Sequence, residues 1–172
     1  QGQASGSNAY GVLMDNGTTV ETTGSGTIAI AGVGVGASGQ TSNRGVSIGN
    51  TGIATIKSTG GVITITGTGG IDGDGVHFNA GSSLVQSTTG HINITGTSGT
   101  GATERGVSID GTNITSGGGI SITGTSMGNA SFDNYGSNLS ANAGTTFNSA
   151  HPINSAPHNL RHDLSGCTSD AF

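Results

Sequence analysis

Apolar and polar residues alternate along this chain in short runs, and the runs recur. Val62-Ile63-Thr64-Ile65-Thr66-Gly67 returns as Ile92-Asn93-Ile94-Thr95-Gly96 and as Ile120-Ser121-Ile122-Thr123-Gly124, with an earlier copy at Ile28-Ala29-Ile30-Ala31-Gly32. Alternation at period 2 predicts a strand with one buried face. The leading isoleucines stand at 28, 63, 92 and 120, so successive copies are 35, 29 and 28 residues apart. Self-similarity at such a period predicts a solenoid.

Two further pieces complete the repeating unit. The first is Gly-Val with an apolar residue two positions later: Gly11-Val12 with Met14, Gly45-Val46 with Ile48, Gly75-Val76 with Phe78, and Gly106-Val107 with Ile109. The residues between, Ser47, His77 and Ser108, are expected on the opposite face of the strand. A turn rich in Asn, Asp and Gly follows, residues that tolerate positive φ. The second piece is a short strand with one apolar anchor (Val20, Ile56, Val85, Ile114) and a Ser or Thr two residues after it. The Ile-x-Ile-x-Gly strand closes the unit.

Three short strands per unit predict an all-β fold, a parallel β-helix of about five coils of roughly 30 residues each. Parallel crossovers favour the right-handed form. The helix is expected within residues 10–149, with Phe132, Leu139 and Phe147 anchoring a looser fifth coil. Residues 1–9 read as an N-terminal arm and residues 150–172 as a tail or cap, with His158 to Leu164 able to form one helical turn. Stacking then places Ile over Ile and Val over Val at about 4.8 Å. Each such residue gains roughly 1.5–3 kcal/mol on full burial.

Composition narrows the classes. The 172 residues suit one domain, and the 35 glycines show no Gly-X-Y period. Charged residues make up only 8%, whereas disordered chains of low hydrophobicity carry high charge. The net charge of −5 argues against nucleic acid and anionic membranes as partners. No run approaches the roughly 18 apolar residues of a membrane span. The start at Gln1 fits a mature secreted protein whose signal was removed, and equally a cut piece.

The units Gly-Val-x-Ile, Val/Ile-x-Ser/Thr and Gly-x-Ile-x-Ile-Thr-Gly resemble the repeats of large bacterial β-strand-repeat surface proteins, the filamentous-haemagglutinin-like and autotransporter-like adhesins. The resemblance covers about residues 10–125. It implies an extracellular structural or adhesive role and carries over no catalytic residue.

Candidate chemistry is sparse. Asp72 and Asp74 form the only close acidic pair, in a Gly-rich turn where Asp is ordinary, and calcium wants more oxygen ligands than two carboxylates. His151, His158, His162, Asp163 and Cys167 match no closed zinc pattern. The residues before each Gly-Val are Tyr10, Arg44, Asp74 and Arg105, which predicts a stacked plus-minus-plus ladder of exposed pairs. Outward positions of the Ile-x-Ile strand carry Ala29 and Ala31, Thr64 and Thr66, Asn93 and Thr95, and Ser121 and Thr123. Only one of these strands reads as a clean Thr-x-Thr.

No catalytic, cofactor or metal residue is therefore assigned. The expectation is a non-enzymatic extracellular subunit or segment of a surface fibre or adhesin that stacks head to tail with copies of itself. Host-surface or matrix glycans are further candidate partners. The alternative is a carbohydrate- or ice-binding solenoid.

Overall fold

The computed structural model describes residues 2–5, 8–36, 40, 42–79, 83–101, 104–127, 130–135, 138–141, 145–149 and 153–155, with only the backbone described in 2–5 and from 130 onward. The described elements are all strands. β1 (Gly2–Ser5) precedes the first coil. That coil comprises β2 (Val12–Met14), β3 (Thr19–Thr22) and β4 (Ile28–Val35). The second comprises β5 (Val46–Ile48), β6 (Thr55–Ser58) and β7 (Ile63–Thr68). The third comprises β8 (Val76–Phe78), β9 (Leu84–Ser87) and β10 (Ile92–Thr97). The fourth comprises β11 (Arg105–Asp110), β12 (Asn113–Ser116) and β13 (Ile120–Thr125). β14 (Ala130–Tyr135), β15 (Asn138–Ala141), β16 (Thr145–Ser149) and β17 (Ile153–Ser155) continue the three ladders.

The strands form three parallel sheets. Sheet A runs β1-β4-β7-β10-β13-β16, sheet B runs β17-β14-β11-β8-β5-β2, and sheet C runs β15-β12-β9-β6-β3. Each coil thus contributes one strand to each sheet, as a three-stranded parallel β-helix requires. Four coils have a described core, fewer than the five expected from the sequence. The anchors expected for a fifth do fall in register: Phe132 opposite Val107, Leu139 opposite Ile114, and Phe147 opposite Ile122. The arm also has a place, because β1 pairs with the second half of β4, Gly2 opposite Gly32.

The core is five columns of like residues. Ile28, Ile63, Ile92 and Ile120 are mutual partners in the sheet A ladder, and so are Ile30, Ile65, Ile94 and Ile122. Val46, Val76 and Val107 stack in sheet B beside Ile48, Phe78 and Ile109. Ile56, Val85 and Ile114 stack in sheet C. All of them are buried apart from Ile30 in the first coil. Sheets A and B meet at a corner too tight for side chains. A Cβ on Gly67 would lie 2.0 Å from the Gly75 carbonyl oxygen, and one on Gly75 would lie 2.3 Å from the Thr97 nitrogen. Gly96 and Gly106 repeat the crossing one coil on, at 1.9 Å and 2.3 Å. Glycine is the residue that permits such backbone approach.

The C-to-A corner is held by hydroxyls. Thr22, Ser58, Ser87 and Ser116 are partners in the sheet C ladder. These side chains turn inward and bond across coils. Ser58 Oγ donates to the Gly26 carbonyl at 3.1 Å, Ser87 Oγ to Gly61 at 2.9 Å, and Ser116 Oγ to Gly90 at 2.7 Å. Each serine of the first two also accepts from its own turn: Gly61 N–H to Ser58 at 2.9 Å and Gly90 N–H to Ser87 at 3.0 Å. Backbone groups that the corner turns away from the ladders are satisfied this way, as buried polar groups must be.

Ser87→Ala strips partners from the buried Gly61 carbonyl and Gly90 amide, so it should lower unfolding free energy by about 1–3 kcal/mol. Thr95→Ala, on the outer face of the neighbouring sheet, should stay within about 0.5 kcal/mol of the parent. Urea denaturation of the two variants checks this, and equal midpoints would contradict the internal serine ladder.

Candidate functional site

Two outer faces carry polar chemistry in a regular arrangement. The first lies on sheet B, where the column Tyr10, Arg44, Asp74, Arg105 was expected. Alternation alone would place Asp74 and His77 on opposite faces of their strand, being three apart. The chain breaks its alternation at the glycine. The consecutive amides of Gly45 and Val46 both bond toward the next coil, to Asp74 O and Gly75 O, each at 3.0 Å. This re-aims Asp74 onto the face of His77, and their side chains meet. His77 Nδ1 lies 2.7 Å from Asp74 Oδ2.

Asp74 ties three coils together. Its Oδ1 accepts the Arg105 backbone N–H at 2.8 Å from the coil on one side. Its Oδ2 is 3.8 Å from Arg44 Nε on the other. Arg44 runs the length of β5, donating to Asn50 Oδ1 at 3.3 Å beyond the strand's end, and its guanidinium sits 5.9 Å from the Tyr10 ring centre. Asn79 Nδ2 donates to the Asn50 carbonyl at 3.2 Å, a further link between the same two coils. The ladder expected from the sequence is present in part: Arg44 pairs with Asp74, Arg105 joins through its backbone N–H and not its charge, and the pair is largely buried, not exposed. Side-chain exposure is 15% for Arg44 and 5% for Asp74. His77 was read only as outward-facing, and its pairing was missed because the glycine break is invisible in a hydrophobic pattern.

Burial opposes the ionised form of Asp74. The His77 hydrogen bond and charge, the Arg105 amide and the Arg44 guanidinium outweigh it and hold the carboxyl below the ordinary aspartate value. Ser47 and Ser108 are the ladder partners of His77, so the face brings together the residue types of a Ser-His-Asp triad. A triad needs its base hydrogen-bonded to a nucleophile that substrate can reach. Ser47 is fully buried, and its Oγ has no hydrogen-bond partner. The column is built as a lock between coils. Thr115 Oγ1 is likewise unpartnered, and nothing in the structure explains it.

The Asp72-Asp74 pair does not act as a unit. Asp72 takes the left-handed turn conformation with φ 56°, while Asp74 is spent on the lock. Among the described residues no three His, Cys, Asp or Glu side chains gather as metal ligands. His151, His158, His162, Asp163 and Cys167 lie outside the described residues. A second carboxylate lock closes the first B-to-C corner. Asp15 accepts Thr51 Oγ1 at 2.7 Å, Thr51 N–H at 2.8 Å and Gly52 N–H at 2.7 Å, from the adjacent coil. The Thr51 hydroxyl is the main cause of its lowered pKa.

The second face is the outside of sheet A. The strand was expected to end at the glycine of Ile-x-Ile-x-Gly, but it runs one residue further, and that residue also points out. The rows are Thr64-x-Thr66-x-Thr68, Asn93-x-Thr95-x-Thr97 and Ser121-x-Thr123-x-Thr125, paired one to one. With the added position three strands carry Thr-x-Thr where the shorter pattern showed one, and seven of the nine positions are threonine. The first coil breaks the array, with Ala29, Ala31 and Val33 at the same register positions.

A carboxyl held low in the folded state contributes stability that is complete above its unfolded value and lost as pH falls through its folded one. Stability should thus decline on acidification below about pH 3.9, the unperturbed aspartate value. Asp74→Asn should lower unfolding free energy at neutral pH by about 1–3 kcal/mol. It should also flatten that acid decline, leaving the share due to Asp15. Urea titrations across pH check it, and an unchanged acid profile would contradict the lock.

Comparison with protein-family models, with curated proteins and with solved structures finds no match for this chain.

Proposed function

We propose that this protein is a non-enzymatic extracellular structural subunit that stacks end to end with copies of itself into a fibre. The observation that carries this reading is the state of the first coil. β2 and β3 are the outermost strands of sheets B and C at that end. Alternate backbone groups of such an edge strand point away from the stack with no ladder to join. Three of the five core columns are open there too, while Met14 and Ile28 close the other two. Val12, Val20 and Ile30 are only partly buried, whereas Val46, Ile56 and Ile65, one coil in, are 0% exposed.

An incoming coil of the same type would satisfy both deficits, since each coil repeats the register of the last. The parallel ladders have a direction, so such a contact is heterologous. A heterologous contact that does not close on itself propagates as a filament. Solenoids otherwise cover their ends with polar capping units. The extracellular setting is supported by the likeness of the repeats to bacterial surface adhesins and by the plain, weakly charged composition. The absence of catalysis is supported by a polar column consumed in holding coils together. Surface or matrix glycans are the secondary partners this reading admits.

Purified protein at rising concentration should elongate into rods in negative-stain images and sediment as a growing series. Val20→Lys places a charge in the open column and should hold the chain as a folded monomer by circular dichroism. A parent chain that stays monomeric at high concentration would overturn the proposal.

A further inference from the structure

We propose that the outer face of sheet A is a binding site for the surface of ice. This is independent of end-to-end stacking, because the face runs along the side of the solenoid and not across its ends.

The face has four properties together. It is a two-dimensional array: the three rows from β7, β10 and β13 pair without slip, so each column repeats at the strand spacing. It is neutral, with no charged residue at any of the nine positions. Its side chains are stiff, since threonine on a strand is restricted at χ1 and holds its hydroxyl and methyl where the backbone puts them. Its polar groups are also uncommitted. Serines and threonines at the corners bond to the backbone, but none of the nine face side chains hydrogen-bonds to another described residue.

These properties exclude most ligands. A dissolved small molecule needs a concave site. A protein partner needs aromatic or apolar anchors in pockets. Nucleic acid needs cations. A saccharide chain would meet no ring to stack on, because Tyr10 and Phe78, the aromatic residues whose side chains are described, lie on or under sheet B. What remains is a flat, uncharged partner with its own lattice of donors and acceptors.

Tetrahedral water supplies one. With O–H···O distances of about 2.75 Å, second neighbours stand about 4.5 Å apart, and puckered layers repeat at about 7.3 Å. The face repeats at about 4.8 Å across strands and about 6.7 Å between alternate residues along them. The match is close across strands. Along them it drifts by about 0.6 Å per step, or about 1.2 Å across the three columns. Each contact is weak, but rigid contacts on one surface act together. The methyls shed their hydration as the hydroxyls enter the water lattice.

The test uses the full chain in three forms: the parent, Thr95→Tyr at the centre of the array, and Thr19→Tyr on the outer face of sheet C as a control. Circular dichroism and the urea midpoint confirm that each is folded. The parent and the control should be taken up into a slowly growing ice hemisphere and should open a gap between freezing and melting points. Thr95→Tyr should lose both effects while keeping its fold. A parent excluded from ice overturns the proposal, as does a Thr95→Tyr chain that binds ice like the parent. Retention on insoluble cellulose or chitin without uptake into ice overturns it too, in favour of a polysaccharide surface.

Discussion

In-register parallel pairing between coils governs everything else in this molecule. A coil alone buries one thin strip: a valine and a larger apolar residue in sheet B, one anchor in sheet C, two isoleucines in sheet A. None of these strips is a core. They become one only when Ile63 sits over Ile28 and under Ile92, at the spacing of neighbouring strands. A slip of one residue would turn every one of these isoleucines to solvent and bring Thr64 and Asn93 inside. Apolar burial therefore sets the register, and the register then sets which polar groups become neighbours.

The polar groups return the favour by removing alternatives. Hydrophobic columns of near-identical residues do not by themselves distinguish the right partner coil from the next. Asp74 does, because the coil before it supplies Arg44 and the coil after it supplies the Arg105 amide. Asp15 does the same at the opposite corner through Thr51 and Gly52. The inward serines add a bond per coil at the C-to-A corner. Glycine at the A-to-B corner makes the scheme compact, since Gly75 and Gly67 cross at backbone contact. Three of its nine described charged side chains, Asp15, Arg44 and Asp74, sit at joints between coils.

Much of this was legible in the chain. The isoleucine pairs, the Gly-Val pieces and the single anchors of the third sheet all report burial, and burial leaves a period-2 trace in sequence. So did the order of strands, and even the column Tyr10, Arg44, Asp74, Arg105, because equal phase in a repeat implies vertical stacking. What escaped notice depended on departures from ideal alternation. The break at Gly75 put His77 beside Asp74 and hid the pair from the water. The extension past Gly67 and Gly96 added a third outward column at Thr68 and Thr97. The serine after each sheet C anchor was visible as a pattern, but its inward direction was not, since a polar residue near a turn reads as surface. Five coils were expected and four have a described core; beyond Gly124 the isoleucine signature fades, while the paired ladders run on through β14 to β17.

The vertical pile of isoleucines can be tested by methyl nuclear Overhauser spectroscopy on protein labelled only at isoleucine δ1 carbons. Ile94 should show strong cross-peaks to both Ile65 and Ile122, with Ile65 and Ile122 showing none to each other. The Ile63, Ile92, Ile120 file should repeat that pattern. Cross-peaks that skip a coil, or an Ile94 methyl with neither neighbour, would contradict the stacked helix and all that has been built on it.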